Sequence, residues 1–207
     1  MRTIVLVSLA FGACTPPVRL GVGGGAGAGH VASVDTRQKL EVHDTSVITE
    51  FRAAVTPLEL MEHPPEPFDL SLGAVFDRID ARNGHRGVEI GPFAEGVWFA
   101  HVVVNGHQRW RIGPTALAET LFDVPSGKGT DALFDGYGAA AGVLVEFDER
   151  VDGPMFLGVT RGELGIGVAL RVGARDVDGD GYAYGMLSLE VRAPGMIAIP
   201  LPPAAPR

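Results

Sequence analysis

The chain has a single cysteine, only two lysines and no apolar run long enough to cross a membrane as a helix. One cysteine excludes an internal disulfide and a zinc site built from several thiolates. The net charge of −8, without a lysine and arginine cluster, lacks the basic surface of a nucleic-acid-binding protein. The longest apolar run near the N terminus, residues 4–11, falls well short of the ~18 residues of a spanning helix.

The residues that are abundant favour a β-rich domain. Hydrophobic residues make up 46% of the 207 positions, so the chain can bury a core and form one domain. The chain contains 29 glycines and 15 prolines, a composition that favours turns and strands over long helices.

The first fourteen residues have the layout of an export signal. Arg2 provides a positive charge, residues 4–11 form an apolar segment, and Gly12 and Ala13 are the small residues that precede a cleavage site. The sequence Phe11-Gly12-Ala13-Cys14 resembles the lipobox of bacterial lipoproteins, whose cysteine is diacylated and becomes the mature N terminus. The resemblance implies a signal peptide over residues 1–13 and attachment to the lipid bilayer through acylated Cys14. The alternatives are cleavage near Ala13 without lipidation, or a buried strand with an inert thiol.

Composition divides the rest of the chain into three parts. Residues 21–29 are almost entirely glycine and alanine, so we predict a disordered, flexible Gly/Ala-rich tether over residues 14–34. Residues 35–195 are predicted to form the folded domain, and residues 196–207 a Pro-rich tail.

Alternation of apolar and small or polar residues predicts an all-β fold for the folded part. The alternation is strongest over residues 163–175 and 183–193. Turn-rich segments between the strands favour an antiparallel meander that closes into a barrel of about eight strands. Residues 114–122 and 154–162 are also compatible with short helices. The weaker predicted strands cover residues 37–43, 46–58, 67–79, 88–103, 107–121 and 139–149.

The polar faces of the two clearest strands indicate which way the barrel faces. Small residues alternate with Arg171 on one strand, and Glu190 and Arg192 occupy the next. Such faces suit the crowded lumen of a small membrane barrel, where we expect an interior Arg–Glu pair, while apolar side chains face lipid. The layout resembles the small outer-membrane β-barrel lipoproteins of Gram-negative bacteria.

This resemblance implies an outer-membrane protein of the bacterial cell envelope that has a structural or interaction role and is not an enzyme. Its partner would be the lipid bilayer, through acylated Cys14 and the barrel exterior, and the sequence identifies no protein partner. The alternative is a soluble β-barrel or sandwich lipoprotein that faces the periplasm and binds a small ligand or a protein.

An acidic loop provides the one candidate metal site. Asp176, Asp178 and Asp180, followed by Gly181, have the alternate oxygen spacing of a calcium loop. Leu187 stands where an EF-hand has its bidentate acid, so the loop is not an EF-hand. We expect at most weak calcium binding, with an acidic hairpin turn as the alternative, and no other cofactor.

Overall fold

A computed structural model describes residues 14–30, 43–61, 65, 67–81, 86–106, 108–123, 133–151, 153–155, 158–177 and 180–198. Eight long antiparallel strands form a meander, and the last strand pairs with the first. The predicted all-β fold, a closed barrel of eight strands, is therefore confirmed. The strands are β1 (Val18–His30), β2 (His43–Val55), β3 (Phe68–Ala81), β4 (Arg86–Trp98), β5 (Gln108–Asp123), β6 (Leu133–Arg150), β7 (Glu163–Val177) and β8 (Asp180–Ala193).

The register of the strands determines their tilt. From Val18 on β1, successive paired residues lead once around the barrel and return to β1 at Ala28, ten residues further along. With eight strands, a rise of about 3.3 Å per residue and a spacing of about 4.8 Å, this stagger corresponds to a tilt of roughly 40°. A barrel of this size has an interior that side chains can fill.

The prediction of a tether over residues 14–34 is wrong for residues 18–30, which form β1, and the barrel begins at Val18 rather than at residue 35. The inward-facing positions of β1, residues 21, 23, 25, 27 and 29, are all glycine, and large side chains of β8 occupy the lumen beside them. A Cβ atom at Gly27 would overlap the Tyr182 ring, and one at Gly23 would lie 3.1 Å from the Met186 sulfur. The glycine-rich segment is therefore the thin wall of a crowded lumen.

The barrel end at which the described part of the chain begins and ends carries several short elements, and we call it the termini end. Four short strands form a small sheet there: Cys14–Thr15, Gly153–Met155, Gly158–Arg161 and Gly195–Ala198. A 3-10 helix, Pro57–Leu60, connects β2 to β3 at the same end. In the part of the chain that the structure describes, no helix is long and apolar enough to cross a membrane.

Several other local predictions need correction. Residues 114–122 belong to β5, and the short strand Gly158–Arg161 lies within residues 154–162, which were also considered as a helix. Residues 196–198 of the predicted tail belong to a strand. The predicted first strand, residues 37–43, lies outside the described residues except for His43, which begins β2.

Candidate functional site

Charged side chains fill the lumen in layers, and the layer farthest from the termini surrounds Arg175 on β7. Arg175 donates to Asp77 at 2.5 Å and to Glu119 at 2.8 Å. Its other terminal nitrogen donates to Glu89 at 3.3 Å. The Tyr184 hydroxyl donates to Glu119 at 3.2 Å, and the guanidinium lies 4.7 Å from the centre of the Tyr184 ring. This far layer therefore sets one cation against three buried carboxylates.

The middle layer surrounds Arg171, which lies on β7 four residues before Arg175 and is therefore closer to the termini end. Arg171 donates to both carboxylate oxygens of Glu95, at 2.7 and 2.9 Å, and also to Glu190. Arg52 donates to Glu50 at 2.7 Å. The contact between Arg171 and Glu190 confirms the interior Arg–Glu pair that the sequence indicated.

The termini-side layer is organised around Glu163 at the start of β7. Arg109, Arg111 and Arg192 all donate to its carboxylate. Arg111 also lies 2.6 Å from Asp148. These contacts join three strands across the lumen, because Arg109 and Arg111 lie on β5 and Arg192 lies on β8.

Taken together, the described ion pairs of the lumen and its termini end involve at least seven arginines and eleven carboxylates. Where several acids share one cation, as at Arg175, removal of that cation would leave them buried without this counter-charge. The arginines are Arg19, Arg52, Arg109, Arg111, Arg171, Arg175 and Arg192. The acids are Glu50, Glu59, Asp69, Asp77, Glu89, Glu95, Glu119, Glu146, Asp148, Glu163 and Glu190.

The outer wall has the opposite character. Its apolar belt comprises the outward-facing residues between Arg78 at the far end and Glu149 at the termini end, and the described positions within it carry no charge. On β6 the belt covers residues 137–147, which at a tilt of roughly 40° span about 25 Å. Large exposed belt residues on β1, β6, β7 and β8 are Leu20, Val22, Val143, Val145, Leu164, Ile166, Val168, Leu170, Val172, Leu187, Leu189 and Val191.

Aromatic side chains mark the edges of the apolar belt. At the termini end, Phe68 pairs with Trp98 on the neighbouring strand, and Trp110 pairs with Phe147. The Trp110 and Phe147 rings lie 4.9 Å apart, and both tryptophans are more than half exposed, at 57% and 53%. Tyr137 is exposed toward the far end. Tryptophan and tyrosine prefer the level where lipid meets water.

A cavity of about 240 Å³ opens at the termini end of the lumen, beside the 3-10 helix. One wall is apolar and the other is charged. The apolar wall consists of Leu58, Pro65, Pro67, Phe68, Phe99 and Val102. The charged wall consists of Glu59, Asp69, Arg109, Arg111, Glu163 and Arg192.

The residues predicted from sequence as sites lie at the two ends of the barrel. Cys14 pairs through its backbone with Ile197 at the termini end, and its lipidation stays a prediction. Asp176 and Asp180 lie at the far end on paired strands, opposite Gly181 and Val177, whereas Asp178 lies outside the described residues. No group of three potential ligands suitable for a metal ion occurs among the described residues, and calcium binding also stays a prediction.

The acids contributed by β3, β4 and β5 were missed at the sequence level. Asp77, Glu89, Glu95 and Glu119 face the arginines of β7 across the lumen. Each occupies an inward position of its strand, as Glu89 does between the outward-facing Val88 and Ile90, so alternation carries a signal for them. Which arginine each acid meets depends on the stagger of the closed barrel. Comparison of the chain with known protein families and with curated proteins finds no match in either.

Proposed function

We propose that this protein is a bacterial outer-membrane β-barrel lipoprotein, embedded through its apolar belt and anchored a second time through acylated Cys14. The observation that carries the proposal is the uncharged outer wall around a charged lumen. An exposed apolar surface that encircles a whole protein is far larger than the few hundred Å² that soluble monomers tolerate. In a bilayer the same surface contacts acyl chains, and the closed barrel leaves no unpaired strand edge in lipid.

The dimensions of the belt support this assignment. Its height of about 25 Å equals the apolar band of bacterial outer-membrane barrels. The four aromatic residues at the termini edge would then lie at the membrane–water interface. Arg78 and Asp80 lie beyond the belt at the other edge, and their side chains pair with each other at 2.9 Å.

The position of Cys14 agrees with a second attachment. Cys14 lies four residues before β1, at the same end as the aromatic residues Trp98 and Trp110. Acyl chains on this cysteine would therefore enter the leaflet next to that end of the belt. One acyl chain alone holds a protein only reversibly, whereas two or more chains, or a chain plus a barrel, give stable attachment.

The lumen supports a structural or interaction role rather than transport of a ligand within the barrel. A soluble barrel that carries an apolar ligand needs an apolar interior, whereas this one is crossed by arginine–carboxylate contacts in three layers. The charged lumen holds the wall in a fixed shape, and the connections at the far end would form the working surface. The proposal assigns no catalysis to the barrel.

Two measurements on one variant test the proposal. Cys14→Ala, expressed behind a cleavable signal, removes the lipid anchor and leaves the barrel intact. We expect the variant to remain in the membrane fraction after carbonate extraction and to migrate faster in detergent gels before boiling than after it. An unlipidated protein that is soluble and monodisperse without detergent would show that the barrel does not span the membrane.

The lipid anchor itself is tested in the parent chain. Metabolic labelling with a palmitate analogue should mark the parent and not Cys14→Ala. Equal labelling of both proteins, or of neither, contradicts lipidation while leaving the membrane barrel to be judged by the extraction experiment.

A further inference from the structure

We propose that the barrel wall opens laterally between β4 and β5, and that this gate gives small apolar molecules access to the lumen from the side. We call the line along which the two strands pair the β4–β5 seam. An interrupted hydrogen-bond ladder, small side chains outside and apolar side chains inside distinguish this seam. The gate is a property of the strand pairing and goes beyond the membrane location proposed above.

The ladder between β4 and β5 is the least continuous of the described barrel. Residues 89–90 and 93–97 of β4 pair with β5, whereas residues 91 and 92 between them do not. Six of the other seven ladders run without a break. The β5–β6 ladder contains one bulge, between Leu121 and Phe122. The wall is therefore joined most weakly along the β4–β5 seam.

Prolines account for the missing pairs. The register places Pro92 on β4 opposite Thr120, and Pro114 on β5 opposite Trp98, but neither pair forms. Proline has no backbone N–H and cannot donate a hydrogen bond to a facing strand. Both prolines keep their pairs on the other side, with β3 and β6 respectively, so the missing donors face the seam.

The carbonyl groups opposite these prolines contact glycine instead of an N–H group. A Cβ atom at Gly91 would overlap the Thr120 carbonyl oxygen, and one at Gly113 would overlap the Trp98 carbonyl oxygen. A Cα–H group is a weaker hydrogen-bond donor than a backbone N–H. Each proline therefore replaces one ladder hydrogen bond of the seam by a weaker contact.

The outer face of the seam carries only small side chains of its own. Between the two prolines, the outward residues of β4 and β5 are Ala94, Gly96, Ala116 and Ala118. The outward residues of β7 and β8 at intact pairs are larger, as leucine, isoleucine and valine. The two strands of the seam can therefore separate without first unpacking large side chains from each other.

Apolar side chains lie behind the gap at Pro92. Phe93 on β4 and Leu117 and Leu121 on β5 are buried in the lumen and belong to one apolar cluster. An opening at this level meets apolar surface, which favours an uncharged, apolar molecule such as a hydrocarbon chain over an ion.

Arg175 holds the seam closed from inside at its far end. It donates to Glu89 on β4 at 3.3 Å and to Glu119 on β5 at 2.8 Å, and so links the two strands through β7. Opening has to occur against these contacts. We therefore expect the closed state to dominate and the open state to be transient.

Amide hydrogen exchange of the full chain in detergent micelles, resolved by residue, tests the seam. A paired amide exchanges when its ladder opens locally. We expect the amides that join β4 to β5, within residues 93–97 and 115–119, to exchange about tenfold faster than those that join β7 to β8, within residues 166–172 and 185–191.

Pro92→Ala combined with Pro114→Ala supplies both missing N–H donors. We expect this double variant to exchange at the β4–β5 seam as slowly as at the β7–β8 ladder, because the ladder becomes continuous. Pro57→Ala is the matched control. It adds an N–H group in the 3-10 helix, outside the seam, and should leave the exchange of the seam unchanged.

Labelling of one engineered thiol tests access to the lumen. In a Cys14→Ala background, Leu117→Cys places the thiol behind the seam, and Met186→Cys places it between two unbroken ladders. We expect N-ethylmaleimide, which is small and uncharged, to label Leu117→Cys about tenfold faster. Adding Pro92→Ala and Pro114→Ala should remove this difference.

The shift between boiled and unboiled gel mobility confirms that each variant is folded. The gate is overturned if exchange at the seam equals that between β7 and β8, if the double proline variant does not slow it, or if the two thiols are labelled at equal rates. These measurements report strand pairing and leave the extraction experiment on Cys14→Ala to decide the membrane location, so the two proposals fail independently.

Discussion

The same strands build two walls with opposite chemistry, and β7 shows the contrast most clearly. Its outward residues are Leu164, Ile166, Val168, Leu170, Val172 and Ala174, and all of them are exposed. Its inward residues begin with Glu163, end with Arg175 and include Arg171, and these three are buried. In a soluble barrel the exposed wall would be polar. The proposed membrane location accounts for this contrast, because a lipid medium outside the barrel would be less polar than its interior.

The two walls also differ in how specifically they are stabilised. The lumen depends on particular partners, because each guanidinium meets carboxylates from two or more strands. If the outer wall contacts lipid as proposed, it depends only on transfer from water to a less polar medium, so one aliphatic residue can replace another there. Substitutions should therefore have large, partner-dependent effects inside and medium-dependent effects outside.

The strongest test of the lumen wall is Arg175→Met. Methionine keeps much of the arginine volume but leaves Asp77, Glu89 and Glu119 without the cation they share. We expect the free energy of unfolding to fall by about 3–5 kcal/mol, the usual effect of removing one partner from a buried ion pair. Urea unfolding in detergent, followed by the fluorescence of the two tryptophans, measures the change.

Arg78→Met is the matched control for that substitution. Arg78 pairs with Asp80 at 2.9 Å, but its side chain is half exposed, so the loss should stay below about 1 kcal/mol. Equal effects of the two substitutions would show that the far layer contributes no more than a surface ion pair.

Leu170→Arg tests the outer wall. Leu170 lies near the middle of the belt on β7 and is 58% exposed. If the belt contacts lipid, arginine there should reduce stability in vesicles by about 2–4 kcal/mol. Glu149→Arg, beyond the belt, should cost no more than about 1 kcal/mol. A Leu170→Arg protein as stable in vesicles as the parent would contradict burial of the belt in a bilayer.

Gly27→Ala and Gly24→Ala test whether the glycine-rich segment is a wall of the barrel. A Cβ at Gly27 overlaps the Tyr182 ring, so we expect a loss of roughly 1–3 kcal/mol from overpacking. Gly24 faces outward, and the nearest atom to its Cβ would be 3.9 Å away, so alanine should be neutral or slightly stabilising. Unfolding midpoints that are identical for both variants would support a tether.

The misassignment of this segment shows what alternation does and does not reveal. Residues 163–175 alternate between bulky and small side chains, so their strand was predicted from sequence. In β1 both faces are small beyond Val22, and glycine occurs at positions 21, 23, 25, 27 and 29. This recurrence of glycine at every second position was the sequence signal that indicated a strand. Its meaning depends on Tyr182 and Met186, which contact β1 only after the barrel closes.

The sequence could not predict which arginine contacts which carboxylate across the lumen, for a related reason. Arg171 and Glu190 lie on adjacent strands of one hairpin, four register positions apart, and alternation placed both on the inner face, where an Arg–Glu pair was expected. Arg175 and Asp77 are 98 residues apart and meet across the lumen. Their contact depends on the ten-residue stagger of the closed barrel, a property of all eight strands together.

The smallest predicted effect comes from removing one tyrosine hydroxyl group on each wall and comparing the changes in stability. Tyr184→Phe removes a buried donor to Glu119, and we expect a loss of about 1 kcal/mol because the carboxylate keeps Arg175 as its partner. Tyr137→Phe makes the same change at a side chain that is 61% exposed on the outer wall, and unfolding should be unchanged within about 0.5 kcal/mol. The pair uses one chemical change on both walls, so a larger loss from Tyr137→Phe would mean that hydrogen bonds outside the barrel, and not those in the lumen, determine its stability.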